Sequence, residues 1–347
     1  MSHQKVTVCA AHVAPVYLDA RATVEKACGL IAEAASRGAE LIAFPESFVP
    51  GFPLWSAVSP PFRNHAFFEQ FVAQSVRVPG PEIFQICQAA REAGIIVSIG
   101  ISESTSASVG CIWNTNLLID SDGSILNHHR KLVPTFFEKM IWANGDGSGV
   151  RVVETGLGRI GMLICGENTN PLARYALIAE GEQIHISSYP PVWPTHEPRA
   201  NDAYNLASAI RIRAGAHSFE AKAFNIVASS RIDDTTLDRL SAVGSEGIDI
   251  VENSPRGPSM VINPHGTVIA ETSASEDDLL IAEIDLQDCV APKQFHDLSG
   301  YYNRFDIFGF TLDRTRRAPV ECTEQDATGV YTFEAMEKSE TRPDAAE

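Results

Sequence analysis

Apolar residues recur along this chain in two alternating rhythms. KVTVCAAHV (5–13) and LIAF (41–44) are short apolar runs suited to strands, and TVEKACGLIAEAASRG (23–38) sets Val24, Ala27, Cys28, Ile31 and Ala35 at helical spacing. Thr23 is the expected cap of that helix and Gly38 its stop. The rhythm repeats in EIFQICQAAREAG (82–94), a helix, and IIVSIGISE (95–103), a strand. Farther on, GRIGMLIC (158–165), QIHISSYP (183–190) and NIVASSRI (225–232) read as strands separated by helices over 171–182 and 203–224. Such an order predicts an α/β fold. Two hairpins interrupt it, LLIDSDGSIL (117–126) and MVINPHGTVI (260–269), each with an Asx residue and a Gly three positions later. Turn chemistry alone can produce that likeness. The alternative is a fold built from two similar α-β-β halves.

Composition narrows the function. The 347 residues hold 27 basic and 44 acidic side chains, a net charge of −17, which argues against binding nucleic acid or an anionic membrane. No apolar run approaches the roughly 18 to 20 residues of a spanning helix, and the N-terminal segment alternates like a strand instead of forming a signal-peptide block. A soluble, cytoplasmic protein with a small-molecule or protein partner is expected. The seven cysteines are scattered without a C-x-x-C pair or zinc-ligand spacing, so reduced thiols and no metal site are expected. From Leu312 the chain turns acid-rich and loses its period, which predicts a tail; the aromatic LSGYYNRFDIFGF (298–310) just before it should pack against something.

Gly156-Leu157-Gly158-Arg159-Ile160-Gly161 matches G-x-G-x-x-G, but it precedes a strand where a dinucleotide loop must follow one. It reads as a turn between two strands. Cys165 ends an apolar strand and is followed by Asn170 and Pro171, a helix cap and first turn. That placement suits a nucleophile at the carboxyl edge of a sheet, although a strand-end Cys is also a common inert core residue. Glu46, in FPES (44–47), again follows a strand and is a candidate general base. Lys131, in HHRKLVP (128–134), follows the first hairpin and could stabilise developing negative charge. Singly, each reads more readily as a solvated surface charge.

Taken together, F-P-E46, H-R-K131-L and I-C165-G-E-N resemble the three motifs of the nitrilase (carbon–nitrogen hydrolase) superfamily, over about residues 5 to 310. The resemblance implies an αββα sandwich, an α/β fold, with a Glu46-Lys131-Cys165 triad at the sheet edge. It also implies a domain over 1–311 and a charged tail over 312–347, and it gives Glu138 the place of a second glutamate near Lys131. PGFPLWSAVSPP (50–61), the run 131–149 and SGYYNRFD (299–306) resemble the nitrilase branch more than the amidase branches. His129 would be structural support. Two departures stand out: Gly166 where nitrilases usually have Trp, and Gly300-Tyr301-Tyr302 where they usually have Gly-His-Tyr.

In this reading Cys165, its thiolate favoured by Lys131 and by the following helix N-terminus, attacks a nitrile carbon, and Glu46 handles the protons. Lys131 and the Gly166 N–H hold the intermediate's negative charge. Water then releases ammonia and a carboxylic acid, with no metal or organic cofactor. Trp55, Phe136, Phe137, Tyr189 and Trp193 are candidates for the pocket wall, alongside Gly166. The resemblance also implies a homo-oligomer, a dimer or a larger spiral. An amidase or N-carbamoyl amide hydrolase with the same triad, and a non-catalytic scaffold of the same fold, remain alternatives.

Overall fold

Strand β1 (Lys5–His12) is buried on both faces, and the parity of its residues sorts the layers. Val6, Val8 and Ala10 point into one core and Cys9 and Ala11 into another. The structure is a computed structural model that describes residues 5–195, 204–273 and 277–316. Its strands run on as β2 (Leu41–Ala43), β3 (Val76–Arg77), β4 (Ile96–Ser104), β5 (Ile112–Ile119), β6 (Ile125–Arg130), β7 (Val153–Thr155), β8 (Gly158–Ile164), β9 (Ile184–Tyr189), β10 (Phe224–Ser229), β11 (Met260–Ile262), β12 (Val268–Glu271) and β13 (Asp278–Asp285). The helices are α1 (Ala20–Ser36), α2 (Trp55–Val58), α3 (His65–Ala73), α4 (Pro81–Ala93), α5 (Pro171–Ala179), α6 (Leu206–Ala221), α7 (Asp234–Leu240) and α8 (Ser245–Asn253).

One sheet has the order β13-β1-β2-β4-β5-β6, with β3 also paired to β4; the other runs β12-β11-β10-β9-β8-β7. The sheets face each other through Val6, Val8, Leu41 and Ile96 on one side and Ile160, Met162, Ile186 and Ile226 on the other. On the outer face of the first sheet, Ile42, Val97 and Ile99 meet Val24, Ala27 and Ile31 of α1 and Ile83, Ile86 and Ala90 of α4. On the outer face of the second, Leu163 meets Ala173, Ala176 and Leu177 of α5. Val227 meets Ile210 and Ala214 of α6 there. The result is the expected αββα sandwich.

The two sheets are built alike. In each, three parallel strands (β1, β2, β4; β8, β9, β10) are flanked by an antiparallel hairpin on one side (β5-β6; β11-β12) and one antiparallel strand on the other (β13; β7). The echoing hairpins therefore occupy equivalent edges of two similar halves. The G-x-G-x-x-G stretch is the β7-β8 turn, with Thr155 opposite Gly158.

Three local expectations need correction. Helix α1 begins before Thr23: Asp19 caps it by accepting from the Ala22 N–H at 3.0 Å, and the buried Thr23 hydroxyl bonds to the carbonyls of Val16 and Asp19. The aromatic segment 298–310 packs only in part, Phe310 against Tyr175 and Asn303 onto the Tyr175 hydroxyl, while Tyr301, Phe305 and Phe308 face solvent. The chain also stays docked past Leu312, which packs with Val150 and Leu163 while Arg314 pairs with Glu180. The rest of the expected tail, from Arg317, lies outside the described residues. Among the described residues no helix is long and apolar enough to cross a membrane, and the six cysteines are free thiols.

Candidate active site

Three chain segments converge at the carboxyl ends of β2 and β8, and each carries a strained residue. Of the five non-glycine residues with positive φ among those described, Ser47 (46°), Phe136 (51°) and Cys165 (47°) flank or form this site. Such conformations cost free energy and persist where surrounding packing fixes them.

Glu46 is delivered by a turn that lies directly on β4. A Cβ on Gly100 would come within 2.3 Å of the Pro45 carbonyl and 2.9 Å of the Glu46 Cα, so only glycine lets the turn lie there. Glu46 Oε1 accepts from Asn114 Nδ2 and from Lys131 Nζ, both at 2.7 Å. Asn114, on β5, also receives the Lys131 backbone N–H through its carbonyl at 2.8 Å. One residue thus sets both Glu46 and Lys131. Glu46 Oε2 is buried and has no protein partner.

Glu138 lies in a 3-10 turn (Phe136–Met140) and its backbone N–H donates to the Thr135 carbonyl at 3.0 Å. Its two carboxylate oxygens accept from Lys131 Nζ at 2.9 and 2.7 Å, and one also accepts from the Thr135 N–H at 2.7 Å. Lys131, Glu46 and Glu138 have side chains fully removed from solvent. Two carboxylates share one ammonium here. Burial and the facing Glu46 charge push Glu138 up to about 7 against the pull of Lys131, while its two carboxylate partners hold Lys131 above its ordinary value despite burial.

Cys165 opens a second 3-10 turn (Cys165–Thr169) and is 97% removed from solvent, at 3% relative exposure. Burial first, then the Glu46 charge, raises its thiol well above the ordinary range; Lys131 opposes them and loses. Lys131 does pull toward the thiolate, as expected, but burial and the Glu46 charge outweigh it, and helix α5 starts only at Pro171.

The turn is held from behind by side chains that sequence reasoning did not single out. Glu167 accepts from the backbone N–H groups of Ile164 (2.8 Å) and Leu132 (2.5 Å) and meets His129 Nε2 at 2.8 Å, so His129 is indeed support. Asn168 Nδ2 donates to the carbonyls of Leu163 and Cys165 at 3.2 and 3.1 Å. Its Oδ1 faces His185 Nε2 at 2.9 Å, and His185 Nδ1 faces Glu182 at 2.9 Å, which in turn bonds His217. Glu182, His185 and His217 have the atom types and the proximity of a metal-binding group, but each turns at least one of those atoms to another member of the trio.

The expected pocket residues divide. Tyr189, Trp193, Trp55 and Phe137 share one apolar cluster with Cys165. Within it Trp193 stacks on Phe137 at 4.4 Å, whereas Trp55 stacks on Phe67 at 5.7 Å. Phe136 is turned outward and 64% exposed, so its neighbour Phe137 fills the inward place. Phe136 instead lines a cavity of about 250 Å³ that also touches Gly166 and Lys139. A Cβ on Gly166 would lie 2.7 Å from the Thr135 hydroxyl, on the residue that precedes the Glu138 turn. A larger cleft of about 760 Å³, between α4 and the β5-β6 turn, is lined by Phe84, Cys87 and Gly123 and contains none of these groups.

The profile of the carbon-nitrogen hydrolase family matches residues 5–294. The chain belongs to the carbon-nitrogen hydrolase family. It is 36% identical over 317 residues to Nitrilase 3 of an unknown prokaryotic organism, covering 91% of this chain and 92% of that protein. Nitrilase of Paraburkholderia phymatum is 32% identical, over 92% of this chain and 90% of that one. Among solved structures, the carbon-nitrogen hydrolase from Helicobacter pylori G27 superposes with a TM-score of 0.63 at 18% identity, covering 84% of this chain and 93% of that one, and so shares the fold.

Proposed function

We propose that this carbon-nitrogen hydrolase is a nitrilase that converts an organic nitrile to a carboxylic acid and ammonia, with Glu46, Lys131, Glu138 and Cys165 as its working groups. The observation that supports it most is the buried Glu46-Lys131-Glu138 array with one carboxylate oxygen, Glu46 Oε2, left unpartnered and within electrostatic reach of a neutral Cys165 thiol. Its relatives named nitrilase, similar over nine-tenths of the chain, point the same way.

A neutral thiol needs a base at the moment of attack, and the unpartnered oxygen of Glu46 is suited to take the proton. The sulfur adds to the nitrile carbon, and the proton passes through Glu46 to the nitrile nitrogen, leaving a covalent thioimidate. Water, deprotonated by Glu46, adds to that carbon. The nitrogen gains its further protons and leaves as ammonia, and a thioester remains. A second water releases the acid and returns the proton to sulfur. Lys131, and the Gly166 N–H in the first turn after Cys165, offer positive ends to each tetrahedral intermediate. Glu138 keeps Lys131 fixed and charged, and the aromatic cluster around Cys165 keeps bulk water out.

The same reading makes the catalytic domain the segment 1–311 with the docked Leu312–Arg314 added to it, and gives the acid-rich residues beyond these a part in tuning self-association. Leu172 on α5 and Ile212 and Phe219 on α6 are exposed apolar residues that suit a homo-oligomer. Intact-mass spectrometry during turnover tests the chemistry: an acyl adduct on the wild type that Cys165→Ala cannot form is expected. Undiminished ammonia release by that variant would remove the covalent mechanism.

A further inference from the structure

Helix α6 turns one face toward the Cys165 turn, and an arginine sits in it. Leu206, Ile210, Ala214 and His217 are the buried residues of that face, and Arg213 lies between Ile210 and His217 at helical spacing. His217 reaches the network behind Asn168, while Ile210 and Ala214 share the apolar cluster of Cys165 and Tyr189. Arg213 is half-buried and donates to the Tyr204 hydroxyl, with its guanidinium 5.9 Å from that ring. Several other half-buried arginines face carboxylates, Arg130 with Glu103, Arg174 with Glu220 and Arg231 with Asp277, whereas Arg256 bonds the Glu252 carbonyl. Among the described residues Arg213 faces no carboxylate.

Next to it, the Tyr189 hydroxyl is fully buried and has no protein partner. An unsatisfied buried donor is costly, and a ligand acceptor beside it removes that cost. Ile210 and Ala214, three residues before and one after Arg213, pack in the cluster that holds Cys165, Tyr189 and Tyr204, which sets the guanidinium beside that cluster.

We propose that Arg213, with the Tyr204 and Tyr189 hydroxyls, forms a subsite for a carboxylate on the substrate, so that the preferred substrates are nitriles carrying a carboxylate remote from the cyano carbon. The inference rests on the nitrilase reading. Its physical logic is charge balance: Glu46 and Glu138 repel an anionic substrate, and a single Lys131 already serves both, so an anion needs a second cation. A planar guanidinium presents parallel N–H groups that match a carboxylate, and Tyr204 holds it in place.

The test compares a cyanoalkanoate with its terminal amide, a neutral analogue of the same length, in wild type, Arg213→Gln and Arg213→Lys. The wild type should prefer the carboxylate by at least about 10-fold in kcat/KM, and Arg213→Gln should reduce that preference by about 10- to 100-fold. Arg213→Lys should keep part of it, since charge survives but the fork does not. Binding is read separately by calorimetry of the cyanoalkanoate to Cys165→Ala, with and without Arg213→Gln. Arg213-dependent binding there, without ammonia release from any nitrile by the wild type, would support the subsite and overturn the nitrilase reading. Turnover of nitriles with no carboxylate preference, or an equal loss on both substrates in Arg213→Gln and Arg213→Lys, would overturn the subsite and leave the nitrilase reading standing.

Discussion

Glu46→Gln separates the base from the scaffold. Glu46 Oε1 accepts from Asn114 and Lys131 at 2.7 Å each, whereas Oε2 has no protein partner. A glutamine carbonyl can take the place of Oε1 and keep both bonds, with the amide nitrogen falling where Oε2 was. The fold then loses only the charge-assisted part of one bond, about 1 kcal/mol, or roughly 2–4 °C in melting temperature. Catalysis loses its general base, a factor of about 10² to 10⁴ in kcat/KM, or roughly 3 to 5 kcal/mol of barrier. The cysteine should respond in the opposite sense. Burial and then Glu46 hold the Cys165 thiol up, so removing the Glu46 charge lets it ionise more easily. Nitrile turnover should therefore fall while alkylation of Cys165 by iodoacetamide at pH 8 accelerates. Turnover within about 10-fold of wild type would refute the assignment of the base; slower turnover with slower alkylation and a large loss of melting temperature would make Glu46 a scaffold residue.

Three further outcomes follow from the same geometry. Glu138→Gln should lower kcat by at least about 100-fold with circular dichroism unchanged, because Lys131 keeps Glu46 but loses its second carboxylate; wild-type kinetics would reduce Glu138 to scaffold. Gly166→Ala drives a methyl to within 2.7 Å of the Thr135 hydroxyl and should cost about 1–3 kcal/mol together with turnover, and in Thr135→Ala, which removes that hydroxyl, the same change should cost less; additive effects on melting temperature would contradict the contact. Glu103, which burial alone would raise, is held at about 2 by Arg130 and His128. Its folded value lies below the unfolded one of about 4.3, so its contribution is complete above that pH and vanishes as pH falls toward 2, roughly 3 kcal/mol in all. Melting temperature should drop steeply over that window and less so in Glu103→Gln, while a flat profile would show the pair to be unimportant.

The sequence made the layers legible because strands buried on both faces read as unbroken apolar runs, as in LIAF and GRIGMLIC, with amphipathic helices between them. Glu46 and Cys165 were legible for a related reason: each directly follows such a run, and in a parallel sheet that position is the carboxyl edge where sites form. What the pattern did not carry was contact across sequence distance. Asn114 couples Glu46 to Lys131 from a third segment, and the Asn168-His185-Glu182-His217 chain draws on a turn, a loop, a strand and a helix, none with a local signature. Burial, which raises the Cys165 thiol more than any neighbouring charge does, has no signature in the residues around Glu46, Lys131 and Glu138. Phe136 and Phe137 could not be told apart, since only the positive φ at Phe136 decides which ring turns inward.

The central claim is nitrile hydrolysis through Cys165, and the most direct measurement is ammonia release with product identification across matched nitriles and amides, aliphatic, aryl and arylacetic, with Cys165→Ala as the blank. The account predicts ammonia and carboxylic acid from nitriles, little from the amides, and none from the blank. Hydrolysis of the amides alone would contradict it and place the enzyme among amidases, with Gly166 and its contact to Thr135 the first feature to re-examine.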